Sequence, residues 1–252
     1  MKKKILIIAG WLVVWQLASY AIHNPILMAG PIETLAALWR LAGDASFLES
    51  IIFSFLRIVG GFLLGAAAGI GLAFWTSKKP VLGDILAPLI TALKSVPVAS
   101  FIILALIWFG SGMLSFFISF IVVFPILYLN TQQGLLSIDT KLVEMADVFH
   151  IPAASRLRYV ILPGLAPFLE SAFALSLGMS WKSGIAAELI GQYKLSIGNQ
   201  MYLCKISLDT AGILAWTLVI ICISWTFEKE FLQLFHRLVT VRGKDAEKEQ
   251  AK

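Results

Sequence analysis

The chain has 252 residues, of which 59% are hydrophobic and only 14% are charged, and its formal net charge is +5. Soluble domains carry about 25% charged residues, so this composition excludes an ordinary soluble protein and predicts an all-α polytopic membrane protein in contact with the lipid bilayer. The positive charge is no indication of a nucleic-acid partner, because membrane proteins concentrate basic residues on their cytoplasmic side.

The first predicted element is a membrane span from Ile5 to Ile22, which follows a run of lysines. A crossing needs about 20 apolar residues, so the segment is long enough, although its basic start and small residues also fit a signal peptide. Because further spans follow, we interpret it as an uncleaved helix with a cytoplasmic N-terminus.

A polar interval, residues 23–49, then leaves the membrane. Pro31 is expected to start an amphipathic helix, which we place at the outer interface. Its apolar positions are Ile32, Leu35, Leu38 and Leu41. Residues 1–50 are therefore predicted to form a unit made of one transmembrane helix and one outer interfacial helix.

The second span is predicted from Ile51 to Trp75 and carries a glycine at every fourth position. Gly61, Gly65 and Gly69 fall on one helical face, and small residues at this spacing let another helix approach closely in a membrane. We therefore predict a helix-packing face at these positions. Arg57, near the outer end, can either snorkel to the interface or pair within the bundle.

The third and fourth spans are predicted to be joined by one short turn. Residues 81–95 carry charges and contain Pro88, which we expect to break the helix, so the third span is predicted from Val96 to Phe109. After an outer turn, the fourth span runs from Met113 to Asn130, with Pro125 as a candidate kink.

Residues 139–163 form the longest polar interval between apolar spans, and their basic residues indicate the cytoplasmic side. We predict two short helices there. Asp139 or Thr140 caps the first helix, since a side-chain oxygen at that position accepts from a free backbone N–H. The apolar stripe of this helix consists of Leu142, Met145, Ala146 and Phe149.

Proline positions predict where these two helices begin and end. Pro152 disfavours helix for the residue before it, so the first helix should end near His150 or Ile151. The second helix should begin at Pro152, whose missing N–H is not needed in a first turn, and should end before Pro163.

The fifth span, predicted from Pro167 to Ile190, carries Glu170, Lys182 and Glu188 at membrane depth. Charges at this depth are costly and usually face a bundle interior or a watery path. Lys182 lies near the outer end of the span, so its long apolar stem can instead snorkel to the interface.

A sixth span, from Leu208 to Phe227, completes a core of residues 51–230. Residues 231–252 form a charged cytoplasmic tail, and we expect its last part, Gly243 to Lys252, to be disordered. Six spans place both termini inside and keep the basic residues of the short loops on that side. We see no phosphate-binding G-x-x-x-x-G-K-[S/T] motif, no catalytic set and no metal-binding spacing of cysteine or histidine. We therefore expect no enzyme activity and no cofactor, and any pumping must draw its energy from another protein.

The 139–163 interval resembles the cytoplasmic EAA loop of binding-protein-dependent ABC importer permeases. That pattern reads E-A-A, three residues, Gly, nine residues and I-x-L-P. This chain has Glu144-Met-Ala146, then His150 at the glycine position and Val160-Ile-Leu-Pro163 at the end, in the same register. Glycine in that family occupies the turn between two short helices. Since histidine adopts left-handed backbone angles more readily than most residues, we expect the turn to survive at His150.

Further segments are similar to the nitrate/sulfonate/taurine branch of that family. They are Met28-Ala-Gly-Pro31, Ser54-Phe-Leu-Arg57 followed by Gly61-Phe62, Ser95-Val-Pro97, Trp108-Phe-Gly110 and Ala187-Glu188.

The resemblance implies a permease subunit of an ATP-driven ABC importer in the bacterial cell membrane. Two such subunits, expected as a homodimer, would enclose a path for a solute delivered by an outer binding protein. Each would sit on a cytoplasmic ABC ATPase dimer through the loop, and closure of the ATPase would swing the spans. The residues that the resemblance assigns to ATPase coupling are Leu142, Glu144, Met145, Ala146, Phe149, His150, Leu162 and Pro163.

The resemblance also suggests a small anionic solute, such as a sulfonate, taurine or nitrate, with a thiamine-precursor-like heterocycle as the alternative. Candidate path residues are Trp181, Lys182, Ser183 and Glu188. In this interpretation the Lys182 ammonium contacts the anion. An ion-coupled secondary transporter is a further alternative, but it would need its own coupling-ion site at broken helices near the midplane.

Overall fold

The computed structural model describes residues 2–250, with the side chains of all but Lys2, Lys4 and residues 238–250. Over that range the chain is helical and contains no β-strand, in agreement with the predicted fold class. Its α-helices are α1 (Lys2–Ile22), α2 (Pro31–Ala42), α3 (Ala45–Lys78), α4 (Pro80–Ser95), α5 (Val98–Phe109), α6 (Leu114–Leu136), α7 (Thr140–Val148), α8 (Ala153–Arg156), α9 (Leu162–Gly191), α10 (Ile197–Ile206) and α11 (Thr210–Gln250).

Five long helical segments and one bent pair account for the membrane crossings in the described part of the chain. The five segments are α1, α3, α6, α8 continued into α9, and α11, each long and apolar enough to span a bilayer. Helices α4 and α5 pass the same test only together, and they are bent by 102° relative to each other. Counting that pair as one span gives the six spans predicted from the sequence.

The break in the third span lies at Val96 and Pro97. Pro88 lies inside α4, so the prediction that Pro88 breaks the helix is wrong. Pro97 disfavours helical angles in the residue before it, and Val96 accordingly has an extended ψ of 132°. With 12 residues, α5 rises only about 18 Å, so it needs α4 to complete a crossing of roughly 30 Å.

Helices α3, α6 and α9 form the centre of the bundle. They share one apolar cluster, and α11 packs on it with Phe227, Phe231 and Phe235. The buried members are Phe62, Ala66, Val123, Leu127, Leu165, Leu169, Ala172, Phe173 and Leu177. Because lipid tails are as apolar as these side chains, van der Waals packing rather than the hydrophobic effect holds such helices together.

The three glycines of α3 lie directly against the backbone of α6. A Cβ atom at Gly65 would come within 2.9 Å of the Phe120 carbonyl oxygen, and one at Gly69 within 2.6 Å of the Phe124 carbonyl oxygen. A Cβ at Gly61 would overlap the corresponding carbonyl of the preceding turn. All three glycines are buried. The four-residue spacing therefore lets two helices approach more closely than any side chain would permit.

Helix α1 lies at the edge of the bundle, and hydrogen bonds attach it to the segment before α2. Trp15 Nε1 donates to the Ala29 carbonyl at 3.0 Å, and Ser19 Oγ donates to the Met28 carbonyl at 3.0 Å. Helix α2 begins at Pro31, as predicted. Its exposed face presents Ile32, Leu35 and Trp39, which suits an outer interfacial position.

Helix α11 is longer than the sequence suggests. It is described through Gln250, whereas the sequence predicts a disordered tail from Gly243; residues 251–252 lie outside the described range. Helix α10 lies in the loop predicted between the fifth and sixth spans. An ion pair between Arg40 and Asp209 joins α2 to the start of α11.

We expect Gly69→Ala to destabilise the bundle, because its methyl group would meet the α6 backbone and overpacking costs about 1–3 kcal/mol. The matched control is Gly71→Ala, two residues along α3, where nothing lies within 4 Å of the added Cβ. Thermal unfolding of the purified, detergent-solubilised protein measures the effect. Equal melting temperatures for the two variants would contradict the close-packing interpretation.

Candidate functional site

Helix α7 presents an apolar edge to solvent on the basic side of the bundle. Asp139 caps the helix by accepting from the Lys141 backbone N–H at 2.9 Å, which decides between the two predicted capping residues. The helix ends at Val148, about two residues earlier than predicted. Its exposed apolar side chains are Leu142 (46%), Met145 (42%), Val148 (73%) and Phe149 (74%).

Ala146 and Glu144 have different surroundings on the same helix. Ala146 is only 2% exposed, so it faces the protein and is not on the outer apolar edge that the sequence pattern suggested. Glu144 is exposed. A small residue at 146 therefore lets α7 pack against the rest of the chain, while Glu144 and the apolar edge stay exposed.

The turn after α7 is a Schellman motif with His150 at its left-handed position. His150 has a φ of 50°. Its N–H donates to the Asp147 carbonyl at 3.1 Å, and the Ile151 N–H donates to the Ala146 carbonyl at 2.9 Å. These two bonds define the motif, in which glycine is usual at the left-handed residue. His150 thus makes the turn expected from the sequence.

A charged contact that the sequence did not reveal joins the two arms of this turn. Arg156 Nη1 donates to Asp147 Oδ1 at 2.5 Å. The two residues lie nine positions apart across a turn, so helical spacing alone gives no reason to pair them. Such a partly exposed pair contributes about 0–1 kcal/mol, enough to bias the angle between α7 and α8 without fixing it.

The second arm of the loop continues into the fifth span without a break. A π-helical turn, Leu157–Ile161, connects α8 to α9, and the whole stretch Ala153–Gly191 forms one helical segment of 39 residues. The prediction that the second helix ends before Pro163 is therefore wrong, and Pro152 serves as the N-cap residue rather than lying in the first turn.

The π-helical turn explains how the helix passes Pro163. Proline lacks an N–H and its ring clashes with the carbonyl four residues earlier. A π-turn shifts bonding to five residues, here from the Leu162 N–H to the Leu157 carbonyl, and relieves that conflict. Leu162 is half-buried and Pro163 is exposed.

The four candidate path residues on α9 face different directions. Trp181 is 2% exposed and packs in a cluster with Ile58 and Trp216. Ser183 is buried and donates to the Met179 carbonyl at 2.7 Å within its own helix. Only Lys182 faces outward. The structure therefore does not bring these side chains together within one subunit.

Lys182 belongs to an exposed face that runs along much of α9. The exposed residues on this face are Ser171, Leu175, Met179, Lys182 and Ile190, whereas the exposed Glu170 points about 120° away from Lys182 around the helix. None of the helices in the described part of the chain covers this face. A charged residue on an uncovered face of a membrane helix usually has a partner or a watery space beside it.

Glu188 is buried near the C-terminal end of α9. It is 2% exposed, and its Oε2 accepts from Ser54 Oγ at 2.6 Å. Arg57 stays within the bundle, where its guanidinium lies 3.9 Å from the centre of the Tyr193 ring. The sequence identified Glu188 but gave no signal for Ser54 as its partner, because the two residues are 134 positions apart.

A cavity of about 240 Å³ lies between α4 and α6, and Lys94 is one of its lining residues. The polar side chains beside it hydrogen-bond to each other, since Gln132 Nε2 donates to Tyr128 Oη at 2.8 Å and to Thr76 Oγ1 at 3.1 Å.

Among the described residues, no group of three or more His, Cys, Asp or Glu side chains is placed to hold a metal ion.

Comparison with known sequences gives a family match. Residues 61–228 match the family described as "Binding-protein-dependent transport system inner membrane component". A putative ABC transporter permease of Methanocaldococcus jannaschii is 27% identical over 191 residues, covering 74% of this chain and 72% of that protein. The taurine transport system permease protein of Escherichia coli is 26% identical, with coverage of 91% and 85%. The putative aliphatic sulfonates transport permease protein of the same species is 30% identical, with coverage of 75% of each chain.

We expect His150→Gly to stabilise the turn and His150→Val to weaken it. A side chain in the left-handed region costs about 1–2 kcal/mol, glycine avoids that cost, and a β-branched residue tolerates the region least. Limited proteolysis between residues 148 and 152 measures the effect, with faster cleavage expected for valine.

The matched control for that measurement is Phe149→Val, because residue 149 has a φ of −84° that valine adopts without strain. Equal cleavage rates for valine at both positions would contradict the assignment of the strained position to His150.

Proposed function

Because this chain belongs to the family of binding-protein-dependent transport system inner membrane components, we propose that it is the membrane-spanning permease subunit of an ATP-driven ABC importer. The observation that carries this proposal is the exposed apolar edge of α7. The Schellman turn at His150 connects this helix to the segment Ala153–Gly191, which is long and apolar enough to cross the membrane. ATP hydrolysis belongs to a separate subunit, and the permease provides the path.

We place the permease in a bacterial cell membrane, with both termini in the cytoplasm. The basic residues of the short connections support this orientation. Lys78 and Lys79 follow α3, Arg156 and Arg158 lie before α9, and Lys229 and Arg237 lie on the last part of α11. All three groups lie at the same end of the bundle, which is the cytoplasmic end by the positive-inside rule.

The cytoplasmic partner in this proposal is an ABC ATPase that receives α7 in a groove. Leu142, Met145 and Phe149 would fill the groove, with Glu144 making a polar contact at its edge. This division matches the general pattern in which an amphipathic helix places apolar anchors in a groove. Ala146 supports the contact indirectly, because its burial holds α7 against the permease.

A second copy of this chain is the partner that we propose for the exposed face of α9. Two copies related by a two-fold axis along the membrane normal would present equal residues at equal depth. The two Lys182 side chains would then lie at the same level on the walls of a shared path. An outer solute-binding protein would deliver the solute at the end where α10 lies.

We propose a small anion as the solute, with Lys182 as its contact in the path. The named relatives from E. coli serve taurine and aliphatic sulfonates, and both solutes carry a sulfonate group. Snorkelling to the outer interface is the competing role of Lys182. Family membership argues against an ion-coupled transporter, and no feature of the site favours a heterocyclic solute.

We expect Glu144→Lys to reduce both ATPase co-purification and solute uptake by about tenfold or more, since charge reversal at an interface typically costs several kcal/mol. The matched control is Glu49→Lys, which makes the same exchange at an exposed residue at the outer end of α3. Both variants should reach the membrane in normal amounts. Full co-purification and uptake with Glu144→Lys would refute α7 as the docking element.

We expect Lys182→Met to lower the uptake of the transported anion by about tenfold, because a hydrogen bond to a charged group contributes about 1.5–3 kcal/mol. Lys182→Arg should retain most of the uptake. Radiolabelled taurine, an alkanesulfonate and nitrate are tested in parallel in proteoliposomes. If Lys182→Met transports the wild-type substrate at the normal rate and affinity, snorkelling is the correct role.

A further inference from the structure

The first turn of α10 is inserted against the outer end of α9. Ser196 caps α10 by accepting from the Asn199 N–H at 3.1 Å. The same first turn passes so close to α9 that a Cβ atom at Gly198 would lie 2.5 Å from the Glu188 Cβ atom. Glycine at 198 is therefore what lets the start of α10 reach the buried carboxylate.

Two buried side chains accept hydrogen bonds from the free N–H groups at the start of α10. Glu188 Oε2 accepts from the Gly198 N–H at 3.3 Å and from Ser54 Oγ at 2.6 Å. Ser54 Oγ in turn accepts from the Ile197 N–H at 2.9 Å. One carboxylate oxygen and one hydroxyl thus join three elements, α3, α9 and α10, in the interior of the subunit.

These contacts are costly to lose because water does not reach them. Glu188 is 2% exposed and Ser54 is fully buried. Without the carboxylate, the buried Gly198 N–H and Ser54 hydroxyl would lose the acceptor that they share. Among the described residues, Glu188 Oε1 has no hydrogen-bond partner, so Oε2 alone makes the contact with these two donors.

Glu188 lies on the same long helical segment as the second arm of the loop at residues 139–163, which we call the coupling loop because of its proposed role. Glu188 lies in the last turn of the helical segment Ala153–Gly191, which begins beside the α7 turn. A helix of that length extends about 58 Å at 1.5 Å per residue, more than the full thickness of a bilayer of roughly 40–45 Å. One element therefore carries the cytoplasmic loop at one end and the α10 contact at the other.

We propose that Glu188 is a positioning residue for transport, which together with Ser54 latches α10 to α9 so that movement of the coupling loop reaches the outer surface. This inference rests on the proposed importer function. The latch transmits displacement because its bonds are buried and connect all three helices. Glu188 accordingly acts inside the wall of the path and does not contact the solute.

The test uses the permease co-expressed with its ATPase and reconstituted in nanodiscs. Hydrogen–deuterium exchange of residues 196–206 is measured without nucleotide and with ATP plus vanadate. In the wild type, exchange of this segment should change by several-fold when nucleotide is added. Glu188→Ala and Ser54→Ala should exchange faster than the wild type in both states and lose the nucleotide response.

Two further variants separate a latch from general packing. Glu188→Gln keeps a carbonyl oxygen that accepts both hydrogen bonds, so it should restore the nucleotide response. Ser176→Ala removes a buried hydroxyl that donates only within its own helix, to the Phe173 carbonyl at 3.2 Å, and should behave like the wild type. If Glu188→Gln behaves like Glu188→Ala, or if Ser54→Ala keeps the full response, the latch is refuted.

Failure of the latch is distinguishable from failure of the proposed function. A wild-type complex that holds the ATPase and responds to nucleotide, while Glu188→Ala and Ser54→Ala respond equally, refutes only the latch. A wild-type permease that binds no ABC ATPase refutes the importer function itself. If Glu188→Ala fails to fold, Ser54→Ala and Glu188→Gln still decide the outcome.

Discussion

The close contact between the backbones of α3 and α6 is the constraint on which the rest of the bundle depends. In lipid, backbone polar groups are satisfied within each helix, so helices attract each other mainly through close packing. Gly65 and Gly69 remove the side chains that would separate the two helices. Helix α9 then packs in the same apolar cluster as both, and its Gly184 approaches α3 so closely that a Cβ atom there would lie 2.7 Å from Ile58 Cγ1. The position of α9, and of everything attached to it, follows from these contacts.

The continuity of α9 with the turn after α7 is the second consequence of local chemistry. Two prolines, Pro163 and Pro167, lie in this segment, and either could have ended it. The π-helical turn Leu157–Ile161 instead moves the hydrogen bonds by one residue and carries the helix past Pro163. Sequence rules describe proline as a helix breaker because they consider only the bond pattern of an α-helix. Those rules therefore do not predict the continuous helical segment from Ala153 to Gly191.

Periodicity and proline positions predicted much of the fold but little of the pairing between elements. The glycine spacing of α3, the start of α2 at Pro31 and the left-handed turn at His150 each follow from residues close together in the chain. The break at Val96 was misplaced at Pro88 because a proline inside a helix and a proline after its end look alike in sequence. Packing between distant elements determines that Ala146 points inward and that Ser54 contacts Glu188. No short pattern in a single sequence predicts such packing.

The geometry of α9 places Lys182 and Glu188 on different faces, although the sequence groups them as candidate path residues. Lys182 and Glu188 are six residues apart, and at 3.6 residues per turn they point about 120° away from each other. Lys182 accordingly faces the uncovered side of the helix, whereas Glu188 faces α3 and α10. The six-residue spacing therefore places one ionisable side chain on the exposed face of α9 and the other in the buried contact with α3 and α10. The sequence alone counts both as ionisable residues at membrane depth, because it does not show which face of the helix each one occupies.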